Sequence, residues 1–80
     1  MSLESPSRYE APDTPLIDAV IGGYMTWREE SAAVAATYET WDRASGNGRA
    51  IAFADYLAAL DREEHAASEY QRFLGQAAVA

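Results

Sequence analysis

The sequence predicts an all-α fold, an antiparallel two-helix hairpin that pairs with a second copy into a dimeric four-helix bundle. Three observations carry this reading. Val20, Tyr24, Trp27, Ser31, Val34, Tyr38 and Trp41 follow one another at alternating spacings of four and three residues, the seam of a helix lying lengthwise along another. A second face gathers Phe53, Tyr56, Leu57, Leu60, Ala67, Tyr70 and Leu74 at the same spacing. Between them stands Ser45-Gly46-Asn47-Gly48, a connection so short that the two helices must be antiparallel neighbours.

The elements follow in order. Residues 1–13, with Pro6 and Pro12, read as a flexible leader. Helix 1 is expected over residues 14–44, with the Thr14 hydroxyl capping its free N–H groups and Pro15 in the first helical position. Gly22-Gly23 is its weak point, because each glycine costs about 1 kcal/mol relative to alanine. The pair marks either a locally soft helix or the close approach of a second chain. Residues 45–48 form the turn, where Gly46 suits the left-handed position that ends a helix and Asn47 suits a cap. Helix 2 is expected over residues 49–74, and residues 75–80 are expected to fray.

A hairpin of about sixty residues is near the size at which one core is marginal without help. Ile17, Ile21 and Met25 widen the apolar arc of helix 1 beyond what one neighbouring helix covers. An exposed patch of that kind is normally an interaction surface. A homodimer is the simplest outcome, and a different protein partner is the alternative.

Composition narrows the function. Thirteen acidic residues against six basic ones give a net charge of −7. Such a field repels nucleic acid and anionic membrane surfaces unless the basic groups cluster, and they do not. The longest apolar runs, of which Ala50–Ala54 is one, fall far short of the roughly twenty residues needed to span a bilayer. There is no cysteine, so disulfides and thiolate metal sites are excluded. No basic start followed by an apolar stretch announces secretion. A cytoplasmic protein without a cofactor is the expectation.

Chemistry-bearing residues concentrate at one level. Glu63 projects into the apolar face of helix 2, and antiparallel pairing sets it near Glu30 and Ser31, with Arg28 and Glu64 close by. A carboxylate there must be hydrogen-bonded, paired or protonated. Ser31, Glu63 and Arg28 are therefore expected to form a polar layer that sets register and partner number. The competing reading is a metal or small ligand held by Glu30, Glu63 and Glu64. The tyrosines of the two stripes are expected in the interface, where an amphipathic ring suits a half-wet position. Nucleophilic catalysis has no support, since the single His65 projects away from the apolar face and no nucleophile elbow exists. An enzyme is not expected.

Two resemblances bear on this. Arg28-Glu29-Glu30 facing Arg62-Glu63-Glu64-His65 resembles the carboxylate layer of ferritin-like di-metal bundles, which use a Glu-x-x-His motif. Here Arg62 stands three residues before His65, so the resemblance implies no metal centre. The hairpin plan also resembles the small secreted helical hairpins named for a Trp-x-Gly turn, which are acidic, cysteine-free and dimeric. Trp41 precedes Gly46 by five residues, and no Trp-x-Gly occurs. Their tyrosine-to-acid tail pattern occurs only as Tyr38 to Asp42, inside helix 1.

Overall fold

Thirty residues, Thr14–Arg43, form α1, and thirty-three, Asn47–Val79, form α2, in a computed structural model that describes residues 14–79. The expected leader, residues 1–13, lies outside the described residues. The two helices pack against each other as an all-helical hairpin, with no strand among the described residues.

The reversal uses only Ala44, Ser45 and Gly46. Gly46 adopts φ 61°, a left-handed conformation that side chains with a Cβ disfavour. The Ala44 N–H donates to the Trp41 carbonyl at 3.1 Å, and the Arg49 N–H donates to the Gly46 carbonyl at 3.2 Å. The Arg49 guanidinium then reaches back to the end of α1. It donates to the carbonyls of Trp41 and Ala44, at 3.1 and 3.3 Å, and lies 5.1 Å from the centre of the Trp41 ring. One cation thus satisfies helix-end carbonyls and covers an aromatic face.

Both helix boundaries of α2 differ from expectation. The helix begins at Asn47 rather than residue 49, and it continues through the expected frayed tail to Val79. Gln76, Ala77 and Ala78 are strong helix formers, so Gly75 alone does not end it.

Register follows from the cross-helix pairs. Tyr24 lies against Tyr70, Ser31 against Glu63, and Tyr38 against Tyr56. Each advance of seven residues in α1 is matched by a retreat of seven in α2. The polar pair therefore sits at the middle of the hairpin, with aromatic rings on either side.

The seam between the helices is turned relative to the expected one. On α2 the buried residues are Ala52, Ala59 and Ala66, at 6 %, 0 % and 5 % exposure, one heptad apart. Phe73 continues their row, and Tyr56, Glu63 and Tyr70 form the adjacent half-buried row. Leu57, Phe53 and Leu74, expected in the seam, are exposed on its flank, and Leu60 is half-buried there. The reason is steric. By the register, Ala52 stands within one residue of the level of Trp41, Ala59 of Val34 and Ala66 of Trp27. The bulk of Trp27, Val34 and Trp41 on one helix leaves room only for methyl groups on the other. On α1 the same turn brings Gly23, Glu30 and Thr37 toward the seam beside Val20, Trp27, Val34 and Trp41. It moves Tyr24 and Tyr38, expected at the centre, out to exposed positions.

Gly23 owes its identity to this packing. A Cβ placed there would stand 3.0 Å from the Phe73 ring and 3.5 Å from the Tyr70 Cα. At Gly22 a Cβ would meet nothing within 4 Å. The two glycines are thus distinct: one admits a neighbouring ring, and the other faces open space.

Candidate functional site

Two aromatic triads repeat along the hairpin, fourteen residues apart. In the first, Tyr24 and Trp27 of α1 meet Tyr70 of α2; in the second, Tyr38 and Trp41 meet Tyr56. The geometry is nearly the same in both. Tyrosine and tryptophan within α1 contact edge-on, with centroids 6.1 and 5.9 Å apart. The cross-helix tyrosines are 5.7 and 5.6 Å apart. The tryptophan stacks on the opposing tyrosine at 5.8 and 5.5 Å, with rings 14° and 16° from parallel. Phe53 extends the second triad, 4.8 Å from Trp41. Such pairs add about 0.5–1.5 kcal/mol each beyond the area they bury.

The heptad between the triads carries Ser31, Val34 and Glu63 in place of the three rings. The Trp27 indole N–H donates to Glu63 Oε2 at 2.7 Å, and the Ser31 hydroxyl reaches the same oxygen at 3.4 Å, a long and weak contact. A charged acceptor makes the indole bond one of the stronger kind. On the other side of the seam Arg62 Nε donates to Glu30 Oε1 at 3.2 Å. Arg62 is more than half exposed there, so the pair contributes no more than about 1 kcal/mol.

Most of the expected polar layer is brought together, with one replacement. Ser31 and Glu63 meet as expected, but Arg28 is exposed and pairs with no acid among the described residues. The position of α1 faces outward, and Arg62 of α2 meets Glu30 instead. Glu30, Glu63 and Glu64 do not converge: the first binds Arg62, the second binds Trp27, and Glu64 is exposed. No three acidic or histidine side chains among the described residues stand close enough to share a metal ion.

The interface residues divide by exposure. Val20, Trp27, Val34, Trp41, Tyr56, Leu60 and Tyr70 are half-buried between or beside the helices. Tyr24, Tyr38, Phe53, Leu57 and Leu74 are exposed, together with Ile17 and Ile21. By helical position these seven project to one side of the hairpin and make one broad apolar face.

The opposite side carries an open groove of about 710 Å³. Gly22, Gly23, Ala66 and Phe73 line it together with the polar Glu30, Arg62 and His65. The residues missed in the sequence are Arg49, Arg62 and the alanine row. The seven-residue repeat of Ala52, Ala59 and Ala66 was the available signal. It is weak, because alanine is common on any helix face.

No protein-family model matches the chain, and no curated protein or solved structure matches it either. No helix among the described residues is long and apolar enough to cross a membrane.

Proposed function

We propose that this protein is a small non-enzymatic interaction module that self-associates through its aromatic face, two hairpins forming a four-helix bundle. The observation that carries the reading is the absence of an enclosed core. Among the described residues no side chain larger than alanine's is buried, while Tyr38 is 47 % and Leu57 46 % exposed. Two helices have only one neighbour each, and the outward-facing apolar side has none.

The magnitudes favour a second copy. Fully burying one leucine or phenylalanine side chain is worth about 1.5–3 kcal/mol. A micromolar dimer needs about 8 kcal/mol net of association costs. Seven half-wet apolar side chains on each of two copies are of that order. The cysteine-free composition suits a reducing compartment, and a cytoplasmic setting belongs to this proposal.

Sedimentation across the micromolar range tests it. A concentration-dependent dimer is expected. A well-folded particle of 8.7 kDa that stays single when concentrated overturns the reading.

A further inference from the structure

Two opposite charges flank the apolar face without partners. Arg28 stands on the outer edge of α1 and Glu64 on the outer edge of α2; both are exposed, and neither takes part in an ion pair among the described residues. On a helical wheel each lies in the outermost row of the apolar face, Arg28 one heptad from Ile21 and beside Tyr24 and Ser31, Glu64 one heptad from Leu57 and beside Leu60 and Ala67. Ser31 meets Glu63, so Arg28 stands level with Ala66. It is two residues, or about 3 Å along the axis, from the level of Glu64.

We infer that two copies dock through this face with their turns at the same end, each Arg28 pairing with the partner's Glu64. The inference rests on the self-association proposed above and specifies its geometry. A two-fold axis has only two simple placements between facing hairpins. Along the hairpin axis, it lays α1 over the partner's α2 at equal height. Arg28 then meets the partner's Glu64 twice, once on each edge, as an isologous interface requires. Tyr38 faces the partner's Phe53 and Leu60, and Tyr24 faces the partner's Ala67 and Leu74. Ile17 comes to the level of the partner's Ala77, about one helical turn beyond Leu74, and Val34 stays within its own seam.

The other placement runs across the hairpin and puts the turns at opposite ends; centred at mid-length, it passes through the Ser31–Glu63 layer. It lays each helix over its own copy. Glu64, one residue from that layer, comes within about 3 Å axially of the partner's Glu64. The two Arg28 side chains come within about 9 Å of each other. Like charges juxtaposed at an interface oppose association. The charge pattern therefore selects the first placement.

The test uses the full chain at low ionic strength, where exposed charges are least screened. Arg28→Glu and Glu64→Arg should each keep their helical content, since neither residue has a partner within the hairpin. Each should weaken the dimer by about tenfold or more. Mixing the two variants should restore association, because one copy then carries two acids where the other carries two arginines. Independently, Ser45→Cys in this cysteine-free chain takes a spin label at the turn. The same-end dimer brings the two labels within about 10–25 Å, set by interaxial spacings of 8–10 Å and the label arms. A separation of about 45 Å, the length of α1, overturns this docking while leaving self-association standing. A dimer whose strength ignores both charge reversals also overturns it. A protein that never dimerises overturns the docking and the proposed function together.

Discussion

Trp27 of α1 donates its indole N–H to Glu63 of α2 at 2.7 Å, the short polar contact that ties the two helices at mid-length. Trp41 occupies the same place two heptads on, and there Arg49 covers the ring instead. One tryptophan is held by an anion and the other by a cation, although both stack on a tyrosine of α2 in the same way. Removing the indole donor leaves a half-buried carboxylate short of its best partner. Trp27→Phe is expected to lower stability by about 1–3 kcal/mol, whereas Glu63→Gln, which keeps an acceptor oxygen, should cost less than about 1 kcal/mol. Urea unfolding followed by circular dichroism ranks the two. A larger loss in Glu63→Gln would mean that the charge, not the acceptor, holds the layer.

The adjacent glycines separate two effects that the sequence presents as one. Gly22→Ala adds a methyl group in open space and should stabilise the helix by about 0.5–1 kcal/mol through backbone entropy and propensity. Gly23→Ala earns the same propensity but sets its Cβ 3.0 Å from the Phe73 ring, so the ring must give way. It should fall below Gly22→Ala by at least a few tenths of a kcal/mol. Melting temperatures of the two variants, measured side by side, decide the order.

Ala59 and Leu57 are two residues apart and should respond in opposite ways to a change of size. Ala59 is 0 % exposed, so Ala59→Leu forces the helices apart and should cost about 1–3 kcal/mol. Leu57→Ala removes a larger side chain from the outer face and should cost the single hairpin less than about 1 kcal/mol. Its effect should appear in self-association instead, as a weaker dimer by sedimentation. Equal thermal losses in the two variants would contradict the alanine seam.

The turn depends on one conformation and one cation. Gly46→Ala places a Cβ at φ 61° and should cost about 1–2 kcal/mol. Arg49→Lys keeps the charge but loses the planar guanidinium that lies over Trp41 while its Nη1 donates to both carbonyls. It should recover only part of the stability lost in Arg49→Ala. Thermal melts of the three variants check both statements.

The meeting of Ser31 and Glu63 was legible because the turn is short and the periodicity strict. Two polar residues at equal distances from Asn47, in the turn region, must come level in an antiparallel pair. The partner of Glu30 was not legible. Arg28 and Arg62 are equally near that level in sequence, and a small rotation of each helix decides which one reaches it.

By itself the chain determined two helices, the place of their reversal and the layer at which polar groups interrupt the rings. These follow from local rules: the three-and-four spacing, glycine at a left-handed residue, and antiparallel pairing across a short turn. Only the tertiary structure decided which rows touch. The expected seam in α2 favoured Phe53, Leu57 and Leu74 because large apolar side chains are the usual marks of a core. The packed hairpin turned instead to Ala52, Ala59 and Ala66, since two helices close tightly only where the bulk of Trp27 and Trp41 meets residues small enough to admit it. The larger apolar groups were thereby left outside, on the face from which the proposed assembly is drawn.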